Sequence, residues 1–190
     1  MSDLPEGIRA SAAGSCASLS PSSRAVGDRR WKQRTKQANR AYAQGDMALA
    51  LAAYTDALTE AQRLFDCADT DHDMASVPVI FNISCHNLAE LFERSGDMAK
   101  AEACYQMACD RLLAAARSAS EPLALRIGCA QHLRHALAML VQHLHRHGAG
   151  DDRIGAIVSA AHHAVYCVYQ LARHAEQAAG GCAHRSLILS

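Results

Sequence analysis

The sequence predicts an all-α fold, an antiparallel helical-hairpin solenoid of about six helices, and three observations lead there. Apolar residues recur at helical spacing along most of the chain, with no convincing strand-like alternation. Half of the residues are hydrophobic but only 5% are aromatic, and alanine is abundant, which favours close helix-on-helix packing over an aromatic-rich sheet. The chain also matches itself. Ala38, Gly45, Asp46, Ala50, Tyr54 and Ala57 recur 51 positions later as Ala89, Gly96, Asp97, Ala101, Tyr105 and Ala108. A length of 190 residues suits one domain.

Residues 1–27 are rich in Ser and Ala, include Pro5 and Pro21, and carry no helical period, so they are expected to form a disordered tail. The helical domain is expected over 28–179. Trp31, Ala38, Ala41 and Tyr42 mark a first helix that stops at Gly45, a residue suited to a left-handed turn. Asp46 should cap a second helix, whose stripe of Leu49, Ala50, Ala53, Tyr54, Ala57, Leu58 and Leu64 runs out near Cys67. Residues 68–75 are polar and aperiodic, a loop. Ser76 and Pro78 should start a third helix, carried by Ile80, Ile83, Leu88, Leu91 and Phe92 to Gly96. Asp97 repeats the cap for a fourth, through Leu112 to about Arg117. Ser118 and Glu121 have capping-box spacing ahead of Pro122, which predicts a fifth helix to about His147. Gly148-Ala149-Gly150 should break it. Asp151 or Asp152 should then cap a sixth, ended by Gly180-Gly181, with 180–190 as a second tail.

Nineteen Lys and Arg balance nineteen Asp and Glu, so no overall field recommends nucleic acid or an anionic membrane as partner. No apolar run approaches the ~18–20 residues needed to span a bilayer. Ala12-Ala13-Gly14-Ser15-Cys16 has the small residues of a cleavage site. Asp3 and Glu6 precede it, however, and no apolar core separates it from a basic start, so the cytoplasm is the expected location. The eight cysteines are scattered without a CxxC pair and are expected to be buried free thiols.

The matched segments, Ala38 to Asp46 and Asn87 to Met98, resemble tetratricopeptide repeats over roughly residues 31–115. Two departures stand out. The period is 51 rather than the family's usual 34, and Arg34 and Cys85 occupy the place of the motif's large residue, with Trp31 three positions before it. Ile83 to Leu88 resembles small bacterial proteins of this repeat type. No third copy is detectable in 121–178, which could be a degenerate repeat or a cap.

The resemblance implies a scaffold, adaptor or chaperone-like, that binds a peptide or protein segment in a concave groove formed by the first helix of each hairpin. Lys32, Thr35, Lys36, Asn39 and Tyr42 would line it in the first hairpin, and Ile83, His86, Asn87, Glu90 and Arg94 in the second. Asn39 and Asn87 match asparagines with which some family members hold a peptide backbone and terminal carboxylate. Thr35 stands where the accompanying lysine would be, and Lys32 and Lys36 are near enough on the helix to supply charge. Seven basic residues from Arg24 to Arg40 face one acid, Asp28, which suggests an acidic ligand segment.

Eleven histidines and eight cysteines raise a second possibility, a zinc or copper site on the C-terminal helices. Cys129, His132 and His135 follow at intervals of three, and His143 and His147 at four. His163 and Cys167 are also four apart. Cys129, His132, His163 and Cys167 are the candidate ligands. Asp69, Asp71 and Asp73 mimic the start of a calcium loop, but Met74 replaces its turn glycine and Ile80 its closing glutamate. Cys85 and His86 are sequential and point about 100° apart, and no GxSxG or phosphate-binding glycine loop occurs, so no enzyme activity is expected. The bare ends of a short solenoid could also be covered by a homodimer.

Overall fold

The computed structural model describes residues 21–68 and 71–186, with side chains at 28–68 and 74–178. Six helices follow in order, α1 (Pro21–Gln44), α2 (Met47–Asp66), α3 (Asp71–Arg94), α4 (Met98–Arg117), α5 (Leu123–Arg146) and α6 (Asp151–Ser186). Consecutive helices pack as antiparallel hairpins, and there is no strand among the described residues. This is the helical-hairpin solenoid expected. α1, α3 and α5 share one layer, tied by Trp31 to Ser84 and by Glu93 to His143. α2, α4 and α6 form the other, tied by Asp66 to Arg111 and by Glu102 to Arg153.

The repeat explains the packing. Ala38, Ala89, Ala50 and Ala101 are each fully buried, so no side chain larger than a methyl separates the two helices of a hairpin where they sit. Gly45 and Gly96 adopt left-handed backbone, at φ 79° and 81°, which an L side chain resists. In each turn the next amide reaches back five residues, Asp46 N to Ala41 O and Asp97 N to Phe92 O, both at 2.9 Å. Each aspartate then accepts from the amide three residues on, Leu49 or Lys100.

The third hairpin repeats this turn although the sequence hides it. Gly148 is left-handed at φ 73°, and Ala149 N reaches Leu144 O at 3.0 Å. Ala149 stands where the aspartate stood, so the capping acceptor is lost and α6 starts one step later. Asp151 and Asp152 are therefore inside its first turn, where their charge still favours the amide end, rather than capping it.

Several boundaries differ from expectation. Residues 1–20 of the expected tail lie outside the described residues, while 21–27 already belong to α1. α6 continues through Gly180-Gly181 to Ser186, because glycine weakens a helix but ends it only where the backbone turns left-handed. α3 begins at Asp71, so residues 71–75 of the expected loop over 68–75 are helical; Asp69 and Thr70 lie outside the described residues. Pro78 therefore sits inside α3 rather than at its start. Lacking an N–H, it leaves Met74 O, one turn earlier, without its helical donor. That carbonyl faces α5 at Gly128, where an added Cβ would lie 2.7 Å from Met74 O. Ser118 ends α4 instead of opening α5. Its amide bonds Ala114 O, and the N-cap is Pro122, which supplies no side-chain bond.

Candidate functional site

The expected groove residues come from α1 and α3, and the structure brings part of the set together. Tyr42 donates its hydroxyl to Glu90 Oε1 at 3.2 Å, and the Arg94 guanidinium lies over the Tyr42 ring, 4.6 Å from its centroid. Tyr54 of α2 packs edge-on against Tyr42 and donates to Asn39 Oδ1 at 2.7 Å. The Asn39 amide N–H groups, on an exposed residue, take no partner among the described residues. The Tyr54 phenol is held above its ordinary pKa by burial, then by the nearby Glu90 and Tyr42, and stays a donor. Arg94 is exposed and takes no ion pair among the described residues.

Other members stand apart. Lys32 is spent on Asp28, at 2.6 Å one turn earlier. Lys36 lines a shallow cavity of about 440 Å³ with Gln33, Gln37, Arg40 and Leu49. Of the four groove residues placed together above, only Asn39 is on a neighbouring turn of the same helix. Asn87 is half-buried and makes no side-chain hydrogen bond among the described residues. His86 turns inward, 5.6 Å from the Tyr105 ring and 5.0 Å from His135, and its Nε2 is buried without a partner among the described residues. Burial, then His135, lowers its pKa to about 4, so the imidazole is neutral near pH 7.

The four residues considered for zinc or copper do not converge. Cys129 is fully buried, and burial pushes its thiol up to about 12, far from the thiolate a metal needs. His132 is half-buried on the same helix, its pKa lowered by burial and then His135. His163 and Cys167 approach within 3.8 Å on α6, as a pair. Only one set of three metal-capable side chains comes together among the described residues, Glu93, His143 and His147. The sequence shows the four-residue step between the two histidines, but nothing in it signals Glu93, which belongs to a different hairpin.

Cys85, Cys104, Cys109 and Cys129 are buried free thiols, as expected, while Cys167 is free but only half-buried, because it lies on the partly exposed α6. Cys67 is disulfide-bonded, so the expectation fails for it. No helix among the described residues is long and apolar enough to cross a membrane.

No curated protein and no solved structure matches the chain. Residues 29–176, from α1 into α6, match the model of a family described as protein of unknown function (DUF2753). The match covers all three hairpins and every groove residue discussed above, and the chain belongs to the DUF2753 family.

Proposed function

We propose that this protein is a non-catalytic binding module, adaptor or chaperone-like, that holds a carboxylate-bearing peptide or protein segment across α1 and α3. The observation that carries the reading is Arg94, stacked on Tyr42 with its N–H edge unpaired among the described residues and the Asn39 amide one turn away on the Tyr42 helix. A planar cation held by a ring and flanked by an amide donor recognises a carboxylate in two-pronged fashion, and loses little side-chain freedom in doing so. Two hairpins of tetratricopeptide type would supply this surface. Neither nucleic acid nor membrane is part of the reading.

The test uses the full chain and a fluorescent peptide ending in consecutive glutamates, with a lysine-ended peptide as control. Arg94→Ala should weaken the acidic peptide at least tenfold while the melting temperature stays within about 2 °C. Equal binding of both peptides, or binding indifferent to Arg94, would remove the proposal.

The reading places the chain in the cytoplasm, supported by the five free thiols among the described residues; the Cys67 disulfide stands against it. A homodimer would form through α6, where Tyr166, Tyr169 and Leu171 are 63%, 41% and 45% exposed. Sedimentation of Tyr166→Glu against the parent chain at two concentrations tests that contact.

A further inference from the structure

The C-terminal ends of α3 and α5 hold a second arrangement, one residue along α3 from Arg94 but turned to α5, where Arg94 turns to Tyr42 of α1. His143 and His147 are one turn apart at the end of α5, with ring centroids 4.4 Å apart, and Glu93 reaches them from the end of α3. Glu93, His143 and His147 each offer a ligand atom within 4.8 Å of the other two. His143 is the informative member. Its side chain is 1% exposed, its Nδ1 lies 2.7 Å from Glu93 Oε1, and its Nε2 is buried with no hydrogen-bond partner among the described residues.

The chemistry follows from the two nitrogens. A carboxylate at 2.7 Å requires a proton on Nδ1, so that Nδ1 donates to Glu93. In the neutral ring, Nε2 is then a bare lone pair. Buried polar atoms are rarely left without a partner, and a lone pair on imidazole calls for a donor or a metal cation. Carboxylate to Nδ1, with the metal on Nε2, is how ligating histidines are commonly oriented and made more basic. His147 is exposed and its ring lies against that of His143, so it brings the second imidazole. Tyr105 packs on the His143 ring at 5.3 Å and limits its rotation. Arg146, half exposed and 3.7 Å from Glu93 Oε1, is the cation paired with this carboxylate among the described residues.

We propose that His143 and His147, with Glu93 holding His143 in register, form a binding site for a divalent transition-metal ion of the zinc class. Two imidazoles, one of them oriented by a carboxylate, suit zinc, and water would complete the coordination, which leaves a position for exchange. No thiol belongs to the site, unlike the Cys129, His132, His163 and Cys167 combination.

The experiment titrates zinc chloride into the full chain, purified without an affinity tag, in a non-chelating buffer at pH 7.5. One zinc per chain is expected. His147→Ala should weaken it at least tenfold and Glu93→Gln by roughly tenfold, while the double variant His163→Ala, Cys167→Ala should bind as the parent does. Zinc-edge absorption spectroscopy of the loaded parent chain should show nitrogen and oxygen neighbours and no sulfur, a readout that needs no variant to fold. The absence of zinc binding, sulfur in the coordination shell, binding indifferent to His147, or loss in the double variant would each overturn the proposal.

Discussion

The indole Nε1 of Trp31 donates to Ser84 Oγ at 2.8 Å, and the Ser84 hydroxyl passes the bond on to Ile80 O at 2.9 Å. Both side chains are buried, and the bond spans 53 residues from the first hairpin to the second. It explains why the large residue of the first repeat sits at Trp31, with Arg34 three positions on: there the indole both fills the gap between α1 and α3 and finds an acceptor. Ser84→Ala should leave the indole N–H buried and unpaired, at a cost of about 1–2 kcal/mol in urea unfolding. In a Trp31→Phe background the same change should cost under about 0.5 kcal/mol; equal costs in the two backgrounds would show that the bond contributes nothing.

Gly128 and Gly155 should respond oppositely to alanine. At Gly128 the new Cβ would lie 2.7 Å from Met74 O and 3.3 Å from Pro78 Cγ, and a backbone carbonyl in a proline-containing turn has little room to give. Gly128→Ala should destabilise by roughly 2–3 kcal/mol, as overpacking does. Gly155 lies in α6 with nothing within 4 Å of its added Cβ, so Gly155→Ala should stabilise by about 0.5–1 kcal/mol. Thermal melts of the two variants check both signs at once.

The third turn should behave as the first two do. Gly45, Gly96 and Gly148 all have positive φ and open space around the missing Cβ, so strain alone decides the outcome. Alanine at each should cost about 1–2 kcal/mol, similar across the three in denaturant midpoints. A clearly smaller cost at Gly148 would mean that the third hairpin is not held by the same turn.

His86 should make stability fall with acid. Its folded pKa of about 4 lies below the ordinary 6.5, so the unfolded chain binds the extra proton first. The contribution is fully present above pH 6.5 and is lost progressively as pH falls from 6.5 towards 4. Allowing for partial exposure, it amounts to about 2 kcal/mol. His86→Gln should therefore lose less melting temperature than the parent chain between pH 7.5 and pH 4.5. His132, its pKa likewise lowered by burial and then His135, should keep part of the acid sensitivity.

Much of the fold was legible because its signals are local. Helical period, left-handed glycines and aspartate caps act within about six residues, and Gly45 with Asp46 and Gly96 with Asp97 announce their turns without reference to the rest of the chain. The candidate site was legible only where one helix carries it. Tyr42 and Arg94 could be placed on the groove side of their helices, but not their stacking. Lys32 was equally placed, yet it is taken by Asp28 one turn away. Ser118 shows a local signal misread, since a serine that could open α5 serves instead to end α4.

The sequence by itself determined six helices and the pairing of the first four into two equivalent hairpins, since small residues at matched positions permit one close packing. Only the tertiary structure decided how the hairpins meet. It joined Trp31 to Ser84, let Gly128 close on the carbonyl that Pro78 had stripped of its donor, and set Glu93 beside His143. Each of those pairs lies about fifty residues apart, where side chains meet through the angle and offset of whole helices, and spacing along the chain carries no record of either.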